Sequence, residues 1–124
     1  MKETLLFIGG FYNLAFAVFH ILFWKIFKWK RSLRRLLPMD RAIMQVLNIR
    51  LIYIFFVFAY VSIFHQEGLI STQLGKVFII IISLFWFMRA IEQIIFFGLK
   101  NLVSIVFMII SIIGAIFYLI PILI

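Results

Sequence analysis

The chain has 124 residues, of which 67% are hydrophobic and 13% charged, against roughly half and about a quarter in a soluble domain. That composition excludes an ordinary soluble enzyme or nucleic-acid-binding module. It points to an all-α integral membrane protein with a single domain over residues 1–124. No cysteine is present, which excludes disulfides, thiolate catalysis and cysteine-ligated metals. The formal charge of +8 lies beside apolar segments, so the expected partner is anionic lipid head groups in a bilayer, not nucleic acid.

A spanning helix needs about 20 mostly apolar residues, and the first candidate is Leu5–Trp24, interrupted only by Asn13 and His20. Ala15-Phe16-Ala17 has the small-x-small form of a signal-peptide cleavage site. The apolar run nevertheless continues through "VFHILFWKIF", and Lys2 with Glu3 gives no net basic leader, so a retained helix is expected. The segment 25–41, "KIFKWKRSLRRLLPMDR", holds seven of the twelve Lys and Arg residues. Lys25, Lys28, Lys30, Arg31, Arg34 and Arg35 are the expected head-group contacts. Ile26, Trp29, Leu33 and Leu36 or Leu37 recur at helical spacing, which predicts a basic amphipathic helix or a continuation of the first span.

Pro38 and Asp40 introduce the second span, Ala42–Phe64, with Asp40 as a candidate N-cap. Ser71 and Thr72 precede the third, Val77–Phe97. Gly98 ends it, and Asn101 is placed to cap the fourth, Leu102–Ile122, so the last two spans form a tight hairpin. The predicted architecture is a four-transmembrane-helix bundle with short loops and a basic amphipathic cytoplasmic segment. The excess of Lys and Arg puts the 25–41 segment and Lys100 in the cytoplasm and both termini outside. That is the arrangement of a bacterial inner-membrane protein.

Helices in lipid associate through small residues and polar contacts, since the surrounding tails are as apolar as leucine. Each span offers one stripe of that kind. The first has Gly9, Asn13, Ala17, His20 and Trp24; the second has Gln45, Asn48, Ile52, Phe55, Ala59 and Ser62. The third has Ser83, Trp86, Ala90, Gln93 and Phe97; the fourth has Asn101, Ser104, Met108, Ser111, Ala115 and Tyr118. These stripes are expected to face inward.

The stretch "FWFMRAIEQIIFFG" places Arg89, Glu92 and Gln93 inside an apolar helix. A charge near the bilayer centre costs about 2.5–3.5 kcal/mol on insertion scales. Side chains lean toward the N-terminus of their helix, which for the third span is the outer end. Arg89 therefore leans away from its nearest water and needs partners, with Glu92 and Gln93 three and four residues on. Arg50, on the oppositely running second span, leans toward the cytoplasm and is free to snorkel. Counting at ~1.5 Å per residue, His20, Asn48, Gln93, Glu92 and Arg89 all fall in the cytoplasmic half.

Arg89, Glu92, Gln93, His20, Asn48 and Asn13 are the candidate lining of a pathway. A register-fixing Arg89–Glu92 ion pair is the structural alternative. The two histidines, His20 and His65, lie at opposite ends, and no metal or cofactor motif is present. The first expectation for function is a channel or transporter for a small ion or polar solute, formed by a homo-oligomer. A non-transporting membrane subunit or scaffold is the alternative. A membrane-embedded lipid-modifying enzyme, using His20 and Glu92 as acid and base, has the least support.

Overall fold

The computed structural model describes residues 1–124. It is about 90% helical and has no strands. The long helices are α1 (Lys2–Ile21), α4 (Pro38–Phe64), α6 (Gln73–Glu92, running on as a π-helical turn Gln93–Phe97) and α7 (Leu102–Leu123); the short ones are α2 (Phe23–Ile26), α3 (Trp29–Ser32) and α5 (Gln66–Ser71). All four long helices are apolar enough and long enough to cross a membrane.

Several boundaries follow the expected chemistry. Gly98, at φ 72°, ends the third span, a left-handed conformation that costs glycine little. The Asn101 side chain accepts from the Ser104 amide at 2.8 Å and caps α7. Thr72 caps α6 through the Gly75 amide at 2.9 Å. Three boundaries differ. Asp40 is not the cap of the second span: α4 starts at Pro38, with Leu37 as its N-cap and Asp40 in the first turn. Proline at that position has no amide to leave unpaired, and the Asp40 carboxylate suits the positive end of the helix dipole. The connection 65–72 carries the unforeseen helix α5. Thirdly, the 25–41 segment is not one amphipathic helix. Lys28 takes a left-handed conformation (φ 51°) between α2 and α3, and the chain passes through a 3₁₀ turn at Leu33–Arg35 to an extended Leu36. Residues preceding proline avoid the helical region, so this segment cannot run unbroken into α4.

The segment is nonetheless tied down. Trp29 and Leu33 are buried, and the Trp29 ring sits 5.3 Å from that of Phe23 and 6.1 Å from that of Trp24. Arg41 on α4 donates to the carbonyls of Leu33 and Leu36, at 3.0 and 3.2 Å. The six predicted head-group residues, Lys25, Lys28, Lys30, Arg31, Arg34 and Arg35, are all exposed.

Around the bundle, α1 packs on α4 and on α7, and α7 packs on α6. The ring closes between α4 and α6 through aromatic side chains: Phe58 with Phe78 and Phe85, and Phe55 with Phe85 and Trp86. Most of the predicted inward stripes are buried: Gly9, Asn13 and Ala17; Asn48, Phe55, Ala59 and Ser62; Ser83, Trp86, Ala90 and Gln93; Ser104, Ser111, Ala115 and Tyr118. Trp24 and Phe97, at the stripe ends nearest the basic segment, are exposed instead.

The α1–α7 contact is reciprocal. A Cβ on Gly9 would meet the Tyr118 ring at 2.8 Å, and a Cβ on Gly114 would meet the Tyr12 hydroxyl at 2.5 Å. Each helix thus lends a tyrosine to the other's glycine, and the Tyr12 hydroxyl donates to the Ile110 carbonyl at 2.7 Å. Gly114→Ala forces that phenol out of its seat, and overpacking of this kind costs typically about 1–3 kcal/mol. Gly68, where an added methyl would meet nothing within 4 Å, is the matched control. Thermal unfolding in detergent should show a lowered midpoint for Gly114→Ala and an unchanged or raised one for Gly68→Ala.

Candidate functional site

Two polar layers and an aromatic layer between them make up the interior. The first polar layer lies in the half remote from the basic segment and involves all four long helices. Asn13 on α1 is fully buried, as are Ser62 on α4 and Tyr118 on α7, and Trp86 on α6 is 1% exposed. The Trp86 indole donates to Asn13 Oδ1 at 3.1 Å. Asn13 Nδ2 donates to the Tyr118 hydroxyl at 2.8 Å and to the Gly9 carbonyl at 3.0 Å. Tyr118 and Ser62 share a hydrogen bond of 2.7 Å. Beside this group, Ser83 ties α6 to α7 through the Ala115 carbonyl at 2.7 Å. An asparagine side chain has two donors and one acceptor oxygen, and all are engaged here.

Below it lies the aromatic layer. Phe16, Phe55, Phe85 and Trp86 form one contiguous group, with Phe16 4.6 Å from Trp86 and Phe55 stacked on Trp86 at 5.4 Å and 16°. Tyr12 meets the Trp86 ring edge-on at 4.8 Å. Offset and edge-to-face pairs of this kind are favourable beyond the area they cover. The polar atoms at this level are tied to the backbone: the Ser111 hydroxyl donates to the Phe107 carbonyl at 2.9 Å and the Tyr12 hydroxyl to the Ile110 carbonyl at 2.7 Å.

The second polar layer, toward the basic segment, contains most of the predicted residues. Its hydrogen bonds form two groups with no bond between them. In one, Arg89 donates to Gln93 Oε1 at 2.9 Å, and Gln93 Nε2 donates to Ser104 Oγ at 2.8 Å. The Ser104 hydroxyl in turn donates to the Gly98 carbonyl, and the Arg89 guanidinium lies 5.7 Å from the centre of the Phe97 ring. In the other, Asn48 Nδ2 donates to the His20 carbonyl at 3.1 Å, and the His20 ring bonds through Nδ1 to the Phe16 carbonyl at 2.9 Å. Asn48 Oδ1 is buried with no partner.

The Arg89–Glu92 ion pair does not form. The chain's one ion pair joins the N-terminal amine to Glu3, and Glu92 is exposed on the bundle surface. Both partners were open to Arg89 by spacing. Gln93, one residue further on, lies on the buried side and offers its oxygen without a second charge to desolvate. Asn13 does not belong with the other five candidates; the aromatic layer separates it from them. Two surface concavities are lined by none of the six. One, at the end remote from the basic segment, includes Lys2, Lys76 and Pro121; the other is a groove between α1 and α7. No group of His, Asp or Glu is placed to hold a metal.

Tyr118 and Trp86 stand in the predicted stripes as packing residues, but their polar atoms hold the network. Tyr118→Phe keeps the ring over Gly9 and removes only the hydroxyl. Interhelical hydrogen bonds in membranes contribute about 0.6 kcal/mol on average and up to about 1.7. Tyr118→Phe should lower stability in that range, and Glu92→Gln should leave it unchanged, as read by unfolding in mixed micelles. No protein-family model, curated protein or solved structure matches the chain.

Proposed function

We propose that this chain is an integral membrane protein that works as a subunit, associating laterally with other membrane-embedded chains, with segment 25–41 in the cytoplasm and both termini on the other side. The observation that carries the reading is a pair of exposed charges on the outer surface, neither in a direct ion pair. Arg50 on α4 and Glu92 on α6 both lie within candidate spans, both are exposed, and neither has an ion-pair partner in the chain. Phe78, Phe85 and Glu92 are spaced by seven residues, so Glu92 continues the stripe through which α6 meets α4. In membranes a charge with no partner is expensive and marks a functional surface by default.

The two charges also agree in depth. Phe55 and Phe85 are in contact, at 5.7 Å between ring centres. Arg50 lies five residues from Phe55 and Glu92 seven from Phe85, both toward the basic end, or about 8 and 10 Å. Arg50 leans toward the basic end and Glu92 away from it, so their charged ends converge on one level. A partner helix beside α4 and α6 can therefore meet both charges at one depth. A second copy of the chain related by a two-fold axis along the membrane normal supplies such a complement, Glu92 to Arg50 and Arg50 to Glu92.

The closed interior supports a subunit over a conduit within one chain, because the aromatic layer separates the two polar layers. The second reading, transport of a small ion or polar solute, keeps its footing only at an interface between copies, where Arg89 is half-buried and Glu92 adjoins it. The two readings separate in one pair of measurements. Molecular mass in native nanodiscs should show the chain joined to a stoichiometric partner or to its own copy, and Glu92→Gln should reduce that association. Proteoliposomes of the purified chain should show no solute flux. A chain that stays single and carries solute, with Arg89→Gln abolishing the flux, contradicts the subunit reading.

A further inference from the structure

A groove of about 330 Å³ runs between α1 and α7 on the lipid-facing surface, lined by Tyr12, Ala15, Phe16, Phe19, Phe107 and Ile110. The one polar atom among these side chains, the Tyr12 hydroxyl, is committed to the Ile110 carbonyl, so what the groove presents is apolar. From Tyr12 to Phe19 it extends about 10 Å along α1. Toward the basic end, the Phe19 ring continues it to Phe27, 6.1 Å away. Lys28 follows directly, in its left-handed turn. On the opposite wall, Lys100 stands in the connection just before α7, beyond Phe107 toward the same end. Both lysines are exposed and free of ion pairs.

We propose that this groove holds one acyl chain of an anionic phospholipid from the leaflet on the basic side, with its phosphate between Lys28 and Lys100. The site is independent of the subunit reading. Its selectivity has to come from the ammonium groups, because bulk lipid tails are as apolar as the groove wall and give no hydrophobic preference for entering it. The groove fixes where the lipid sits, and the two point charges decide which lipid it is.

The test uses the full chain taken from vesicles containing equal amounts of phosphatidylglycerol and phosphatidylcholine with identical acyl chains, released into mild detergent and weighed by native mass spectrometry. One retained phosphatidylglycerol per chain is expected, in severalfold excess over phosphatidylcholine. The double variant Lys28→Gln/Lys100→Gln should bring that ratio close to one. Ala15→Phe, which fills the groove from an exposed position, should lose retained lipid of both kinds. Lys2→Gln/Lys76→Gln removes the same charge from the end of the bundle remote from the basic segment, and should leave the ratio unchanged. Equal loss of preference in both double variants would mean diffuse electrostatics and would overturn the site. Unchanged retention in Ala15→Phe would overturn it too, as would a change in oligomeric mass in that variant without loss of lipid.

Discussion

Asn13 is the constraint on which the rest of the bundle depends. A buried amide in hydrocarbon must have all its hydrogen bonds met or it costs several kcal/mol. Asn13 meets them by drawing Trp86 from α6, Tyr118 from α7 and, through Tyr118, Ser62 from α4. One side chain on the first helix thereby fixes the register of the other three. The reciprocal seating of Tyr118 over Gly9 and Tyr12 over Gly114 follows from the same requirement. The phenol reaches Asn13 only if α1 and α7 approach closely enough that a methyl would not fit.

The half toward the basic segment is built differently. It holds more polar groups and satisfies them less completely. Arg89 is paired with an uncharged amide, Asn48 has a buried oxygen with no donor, and Glu92 turns outward. A fully connected network rigidifies a core, and an unpaired buried polar group is costly. The division suggests a molecule with a fixed half and an interactive half, separated by the aromatic layer of Phe16, Phe55, Phe85 and Trp86. The basic loop, the unpaired surface charges and the α1–α7 groove mouth all fall in the interactive half.

Much of the fold was legible in the sequence because hydropathy and helical period are local properties. The four long helices, the Asn101 cap, the Gly98 stop and most of the inward stripes can be read from residue type and spacing alone. The order of helices around the bundle cannot, and that order decides which polar groups meet. Asn13 and Tyr118 are recognisable as inward residues on different spans, but their bond exists only because α7 lies beside α1. Depth matching places His20, Asn48, Arg89, Glu92 and Gln93 in one layer, and is silent on how their hydrogen bonds divide into two groups. Glu92 shows the limit most plainly: spacing of three residues permits a pair with Arg89, yet the competing oxygen of Gln93 faces the interior and Glu92 does not. The broken course of 25–41 turns on Lys28 and Pro38, whose backbone effects outweigh a stripe of apolar residues at helical spacing.

The central claim is that the aromatic layer closes the interior between the two polar layers. The chain has no cysteine, so a single introduced thiol reports on its own surroundings. Ala17, fully buried, lies between Asn13 and His20 on α1, at the level of the aromatic layer. In native membranes, Ala17→Cys should resist a small water-soluble thiol reagent from either side, while Lys30→Cys on the basic loop reacts readily. Reaction of Ala17→Cys at a rate near that of Lys30→Cys would place water in the core and contradict the account.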